Sequence, residues 1–168
     1  MKNLFLIAIA VLGFSAISFG QVSENAPASA TIVTPISIVK VDDMNFGNVA
    51  IQGSNDGTVV LTPAGGRTAD AGATLPAIKG TVSAASFTVS GQTGYTYAIT
   101  LPSTLTITSG LNYMIVDAFT STPDATGTLD ATLGTETISV GATLNVNAGQ
   151  GAGVYTNTAG FEVTVNYN

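Results

Sequence analysis

The feature that most constrains this chain is an alternation of apolar and polar side chains that returns in one segment after another. It is clearest in Gly160–Asn168 (GFEVTVNYN), where every second residue is aromatic or aliphatic. Side chains of a β-strand point alternately to opposite faces, so this period is typical of a strand with one buried face. We therefore predict that four residues form the core side of a terminal strand: Phe161, Val163, Val165 and Tyr167.

Other segments repeat the pattern. The turn-forming residues 90–94 (SGQTG) separate alternating residues at 85–89 from alternating residues at 95–101. The Asp56-Gly57 pair is a hairpin signal, whereas residues 64–73 (AGGRTADAGA) have the composition of a loop. Residues 135–149 supply two further apolar pairs, and no ten-residue helical pattern follows residue 20.

These segments predict an all-β fold with about eight or nine short strands. Threonine and valine favour strands, and glycine favours the turns between them. The chain has twenty-five threonines and nineteen glycines. Such strands pack best as an antiparallel β-sandwich, with a closed barrel as the alternative.

The start of the chain has the pattern of an export signal. Lys2 precedes an uncharged apolar run, and small residues stand before Gln21. This run is shorter than the roughly 20 apolar residues that a membrane span needs. We therefore expect a signal peptide at residues 1–20, a flexible leader at 21–29 and a single domain at 30–168.

Charge and residue usage exclude several classes of function. After removal of the signal peptide, the chain has three cationic residues (Lys40, Arg67 and Lys79) and ten acidic residues. Nucleic-acid binding needs clustered Lys and Arg, so no nucleic-acid partner is expected. No second apolar segment follows the signal, so an integral membrane protein is not expected either.

Catalytic chemistry finds little support in these residues. The chain contains neither histidine nor cysteine, which removes the usual general base, the thiol nucleophile and the N/S metal sites. Asp42, Asp43 and Asp56 could offer oxygen ligands to calcium, but they lack the spacing of a calcium loop and are better explained as turn residues. We predict no catalytic residue, no cofactor and no metal site, and hence no enzyme.

The beginning of the predicted domain is a candidate contact strand between subunits. Residues 30–41 (ATIVTPISIVKV) alternate, with both faces carrying apolar residues. Pro35 cannot donate to a ladder, so this strand must lie at an edge, bend or change partners there. The side chains expected on the contact face are Ile32, Thr34, Ile36 and Ile38.

The ordered combination of residues 30–49, 57–69, 85–110 and the closing FEVTVNYN resembles the bacterial domain-of-unknown-function family numbered 4402. That resemblance implies an exported or surface protein of a Gram-negative bacterium and supplies no catalytic residue. The Asn45-Phe46-Gly47 motif and the TVNY ending are also distantly similar to spore-coat-protein-U-like and chaperone–usher pilin domains. This likeness implies an immunoglobulin-like, pilin-like sandwich whose subunits polymerise by strand exchange.

Three functions are compatible with this sequence. The first is a secreted structural subunit of a filament or coat, with itself or other surface subunits as partners. The second is a cell-surface adhesin that binds a glycan or a host or matrix partner, with 65–72 and 121–135 as candidate loops. The third is a solitary sandwich that pairs its N-terminal strand within its own sheet.

Overall fold

A computed structural model describes residues 20–168 of the chain. The chain divides into two units, Met1–Ile32 and Val33–Asn168. In the first unit the described residues, 20–32, are exposed and form neither helix nor strand. The predicted signal peptide, apart from Gly20, lies outside the described residues.

The second unit is built entirely from strands and the turns between them, with no helix among its residues. All strand pairs are antiparallel. In chain order the strands are β1 (Ser37–Asp42), β2 (Ala50–Ile51), β3 (Gly57–Leu61), β4 (Arg67–Ala71), β5 (Ala73–Thr74), β6 (Ala85–Ser90), β7 (Thr96–Thr100), β8 (Thr104–Ser109), β9 (Asn112–Thr122), β10 (Thr126–Thr128), β11 (Thr135–Val146) and β12 (Thr164–Tyr167).

The twelve strands exceed the eight or nine predicted. β2, β5 and β10 have only two or three residues, too few to show an alternation. β4 lies inside residues 64–73, which the sequence predicted as a loop. That prediction was wrong because small and charged residues are tolerated in an edge strand, where one side of the strand faces solvent.

β11 organises the largest sheet. Its residues 135–140 pair with β6 and its residues 142–146 pair with β3, so these two strands lie in tandem on one side of it. β9 pairs with the opposite side of β11. β1 lies beyond β6, β4 beyond β3 and β8 beyond β9, which completes a seven-stranded sheet.

A three-stranded sheet of order β10-β7-β12 faces part of this larger sheet. β6 and β7 are therefore in different sheets, and the turn 90–94 crosses between the sheets instead of closing a hairpin. The side chains between the two sheets form the first core cluster: Ala85, Phe87, Val89, Tyr97, Ile99, Leu129, Ile138, Val140, Val163 and Val165.

A second core cluster covers the other half of β11. Its buried side chains come mainly from β3, β9 and β11, and include Val59, Leu61, Val116 and Leu144. Met44 and Phe119 pack against both clusters and connect them. The prediction of an all-β, sandwich-like antiparallel fold is confirmed.

The Asp56-Gly57 pair does not form the hairpin that the sequence indicated. β2 before it pairs with β5, and β3 after it pairs with β4 and β11. Gly57 is buried, and a Cβ atom there would lie 2.1 Å from the backbone nitrogen of Ala73. The glycine thus permits a close approach of two backbones, which a sequence pattern does not distinguish from a turn.

Arg67 holds the loop that contains the Asn45-Phe46-Gly47 motif. Its Nη1 atom donates to the carbonyl oxygen of Phe46 and, at 2.8 Å, to that of Asn48. Its Nη2 atom donates to the carbonyl of Lys79 at 3.3 Å. Gly47 has a φ of 67° at this point, a conformation that favours glycine. The guanidinium therefore joins three carbonyls of two loops.

Candidate functional site at the edge of the three-stranded sheet

A hydrogen-bond network joins the segment before β1 to the end of β12. The Tyr167 hydroxyl accepts from the backbone N–H of Gln92 at 2.6 Å and donates to the carbonyl oxygen of Thr34 at 2.7 Å. The backbone N–H of Thr34 donates to Oε1 of Gln92 at 3.2 Å. We call these three residues the tyrosine clasp. It ties the chain entering the larger sheet to a strand of the smaller one.

Two neighbours shape the position of the clasp tyrosine. A Cβ atom on Gly91 would lie 2.2 Å from the Tyr167 hydroxyl, so only glycine leaves room for it. The ring of Tyr95 meets the ring of Tyr167 edge to face, with centroids 5.7 Å apart. Tyr95 itself stays 45% exposed, although its alternation with Tyr97 placed it on the core side. It lies just before β7, which begins at Thr96.

The predicted contact strand is only partly a strand. β1 begins at Ser37, which pairs with Ser90 at the end of β6. Residues before Ser37 therefore have no partner in that sheet, so within the single chain the strand begins at Ser37 and not at residue 30. Its role as a contact strand between subunits stays a prediction. Ile32 is 96% exposed and Thr34 belongs to the clasp, while Ile36 and Ile38 pack at the margin of the first core cluster.

The four residues predicted for the core side of the terminal strand lie together. Val163 and Val165 are each 8% exposed and belong to the first core cluster. The Phe161 ring contacts those of Phe87 and Phe119, at centroid distances of 6.1 and 5.0 Å. Tyr167 packs against the cluster through its ring and reaches the clasp through its hydroxyl.

The backbone of β12 has one paired side and one open side. Asn168 donates its N–H to the carbonyl of Thr96, and the register of β12 on β7 continues in steps of one residue. In an antiparallel ladder, hydrogen-bonded and non-hydrogen-bonded residue pairs alternate. The backbone groups of Thr164 and Asn166 therefore also bond to β7. The peptide groups of Val165 and Tyr167 consequently point the other way. Among residues 20–168, no strand pairs with this side, which we call the open edge.

Carboxylates are dispersed over the described part of the chain and satisfied locally. Asp42 accepts from the Ser86 hydroxyl at 2.6 Å, and Asp56 from the N–H of Ala148 at 2.6 Å. The backbone N–H groups of Leu133 and Thr132 lower the pKa of Asp130 by bonding to its carboxylate. Residues 20–168 contain no group of three acidic side chains placed to hold a metal ion.

The two segments proposed as ligand-binding loops are largely structured. Residues 65–72 contain β4, and residues 121–135 contain the end of β9 and all of β10. A shallow depression of about 430 Å³ lies elsewhere, between β8 and the segment before β12. Its lining consists of hydroxyl, amide and methyl groups: Thr106, Thr108, Thr156, Asn157, Thr158 and Ala159.

Sequence reasoning missed the role of Gln92 and of the Tyr167 hydroxyl. The segment SGQTG signalled a turn, but nothing in it indicated that its amide and side chain bind residues 34 and 167. The contacts span 58 to 133 positions along the chain, so only the folded arrangement reveals them.

Within residues 20–168, no helix has the length and apolar character needed to cross a membrane.

A family model described as a domain of unknown function, DUF4402, matches residues 36–167. The match confirms the resemblance to family 4402 that the sequence indicated. No curated protein and no solved structure matches the chain. The likeness to spore-coat-protein-U-like and pilin domains stays a prediction.

Proposed function

This chain belongs to the DUF4402 family, and we propose that it is an exported structural protein of the cell surface. In this proposal it is the subunit of a filament or coat and assembles through its N-terminal segment, residues 21–36. The family description carries no activity, so the proposal is built on the chain's own residues. The apolar run at residues 4–17 and the small residues before Gln21 support export.

One observation carries the proposal: a segment with strand alternation lies outside the sheets of its own fold. Residues 20–32 are exposed and form no strand. At even positions from 26 to 36 the residues are alanine, isoleucine or threonine, and no charge occurs between Ala26 and Ile36. Such a segment can add a strand to a sheet edge of another molecule, with backbone hydrogen bonds giving affinity and alternate side chains giving register.

The position of the segment supports an open-ended assembly. The segment precedes β1 on the chain, and the sheet edge that would receive it is a different element of the chain. A contact between two unlike surfaces is heterologous, and it produces a filament when the rotation does not close a ring. The predicted likeness to pilin domains is in accord with such a polymer.

Assembly of the mature chain, residues 21–168, tests this function. We expect polymers by size-exclusion chromatography and electron microscopy, and monomers after deletion of residues 21–33. The double variant Ala30→Asp, Ile32→Asp should also leave monomers, because both charges would lie on the side of the segment that faces the acceptor sheet. Ser29→Asp with Thr31→Asp is the matched control, since it adds the same charge to the opposite side.

Persistence of monomers in the unchanged mature chain at every concentration would rule out the structural role. Export is checked separately by sequencing the N-terminus of protein recovered from outside the cytoplasm, which should begin at Gln21. Recovery of the intact Met1 form in the cytoplasm would contradict export.

A second candidate is a glycan-binding module of the cell surface. The depression beside β8 favours it, because the threonine hydroxyls that line it offer the donors and acceptors that sugar hydroxyls bind. Glycan-array binding by a monomer, abolished by Thr108→Val but retained by Thr68→Val on β4, would support this function over the structural one.

A further inference from the structure

We infer, building on the proposed function, that the open edge of β12 receives the N-terminal segment of a second copy of this chain. The added strand would extend the order β10-β7-β12 by one member. The strands of the two-stranded sheet, β2 and β5, have only two residues each and offer little edge. The two larger sheets present four other edges, namely those of β1, β4, β8 and β10. Each of these is protected in a way that β12 is not.

Charged residues and an irregular backbone disfavour the pairing of a further strand with the edge of β4. Arg67 and Asp70 are charged residues of this five-residue strand. Ala71 has a φ of 53°, which takes the backbone out of the extended conformation. Charged side chains and local distortions are the usual means by which proteins keep an edge strand from pairing.

The edge of β8 is already occupied by its own chain. Thr108 and Thr156 exchange two backbone hydrogen bonds of 3.0 Å. The side-chain amide of Asn157 donates to the carbonyl of Thr106 at 2.8 Å. Both outward peptide groups of Thr108 and the outward carbonyl of Thr106 are therefore satisfied.

The edge of β10 is short and has its outward amides bonded. Thr128 donates its N–H to Oε2 of Glu136 at 2.7 Å. Thr126 donates its N–H to the carbonyl of Asp124. Little is left on this side of β10 for a new strand to bind.

The edge of β1 carries charges and an irregularity. Lys40 and Asp42 lie in the strand, and the register on β6 shifts between them. Pro35 stands just before it and lacks an N–H. These features discourage a regular ladder on that side.

The open edge of β12 has none of these protections. The stretch from Val163 to Asn168 contains no charged residue and no proline. The N-terminal segment offers a run of matching character. Residues 28–33, between Pro27 and the clasp residue Thr34, all have an N–H and carry no charge. Six extended residues span about 20 Å, which is enough to run along the four residues of β12, Thr164–Tyr167.

The tyrosine clasp favours a second copy over the chain's own segment as the donor. The N–H and C=O of Thr34 are both bonded to side chains, those of Gln92 and Tyr167. The backbone therefore leaves the end of β12 at Thr34 without entering a ladder on it. Ile32 is exposed in the single chain, and pairing with another molecule would bury it.

Disulfide trapping tests the edge directly, since the mature chain has no cysteine. Donor variant Thr31→Cys is combined with Thr164→Cys or Asn166→Cys on β12, whose side chains are exposed. Matched controls combine Thr31→Cys with Asp70→Cys on β4 or with Thr126→Cys on β10. After assembly and oxidation, we expect ladders of linked subunits on non-reducing gels from at least one β12 pair and monomers from the controls.

The outcomes separate this inference from the proposed function. Filaments whose ladders form from a β4 or β10 pair would overturn the β12 assignment and leave the structural role standing. A disulfide within one chain, giving a monomer of altered mobility, would overturn the second copy as the donor. Absence of polymers in the unchanged protein would remove both.

Discussion

At the residue scale, a hydrogen bond between buried Tyr97 of β7 and half-buried Glu136 of β11 joins the two sheets. The Tyr97 side chain is fully buried, and its hydroxyl donates to Oε2 of Glu136 at 2.8 Å. The same oxygen accepts from the N–H of Thr128. A Cβ atom on Gly127 would lie 2.3 Å from the Tyr97 ring, so glycine leaves the space that the ring fills.

Tyr97 makes the stability of the fold sensitive to alkaline pH. Burial, and then the hydrogen bond and charge of Glu136, raise the pKa of Tyr97 above its ordinary value of 10.0. In the unfolded chain the phenol ionises near pH ~10. The contribution of Tyr97 to stability is thus complete below that pH and is lost as the pH rises above it, because only the unfolded chain releases the proton.

Replacement of Tyr97 by phenylalanine should change both the level and the pH dependence of stability. We expect Tyr97→Phe to lower the free energy of unfolding at neutral pH by about 1–2 kcal/mol, since Glu136 loses a donor. Above pH ~10, the unchanged protein should lose up to about 1.4 kcal/mol per pH unit more than the variant. Urea unfolding across this range measures both effects.

The exposed Tyr113 supplies the control for this prediction. Tyr113→Phe should follow the pH profile of the unchanged protein. If Tyr97→Phe shows that same profile, ionisation of Tyr97 does not contribute to alkaline unfolding. The alternation of residues 95–101 predicted a core position for Tyr97, but its partner lies 39 positions away and is defined only by packing.

At the element scale, β11 carries most of the topology. The sequence showed two apolar pairs separated by Gly141, whereas the structure has one strand of twelve residues, Thr135–Val146. Gly141 stands where pairing with β6 gives way to pairing with β3. A Cβ atom there would lie 2.2 Å from the carbonyl oxygen of Leu61. The glycine thus allows two strands to meet end to end beside a third.

Gly141→Ala should be strongly destabilising because the methyl group has no space between the backbones. We expect a loss of about 3 kcal/mol or more, measured by urea unfolding, or failure to fold. Gly53→Ala is the matched control, since a Cβ atom at Gly53 meets no atom within 4 Å. Equal stability of the two variants would contradict the close approach at Gly141.

At the scale of the whole fold, residues 33–168 contain two core clusters that share β11, Met44 and Phe119. Leu129 is a fully buried side chain of the first cluster, and Leu61 is one of the second. Because one strand runs through both clusters, neither can lose its packing without disturbing the other. We infer that these residues unfold as one cooperative unit.

Leu61→Ala and Leu129→Ala should each shift a single unfolding transition. The expected loss is about 2–5 kcal/mol for each variant. Leu111→Ala, at a fully exposed position, should have little effect. Denaturation followed by far-ultraviolet circular dichroism and by tyrosine fluorescence should give coincident curves. Two separate steps in either leucine variant would show that the clusters unfold independently.

The sequence by itself determined the all-β class, the terminal alternation and the family, because strand period and turn chemistry are local properties. The alternation of residues 30–41 and the position of Pro35 also indicated a candidate contact strand at the N-terminus. The pairing of strands could not be predicted in this way, because β6 and β7 are neighbours in the chain yet lie in separate sheets. Local pattern states which face of a strand is apolar and says nothing of which strand lies beside it.

The tertiary structure alone decided which edge stays open and what ties the segment before β1 to it. The clasp joins Thr34, Gln92 and Tyr167, and the exposed peptide groups of β12 follow from its register on β7. Such contacts link residues far apart in the chain, and their free energy depends on the geometry of the assembled sheets. A period of two residues can predict a strand, but only the packed sandwich shows which side of it remains unpaired.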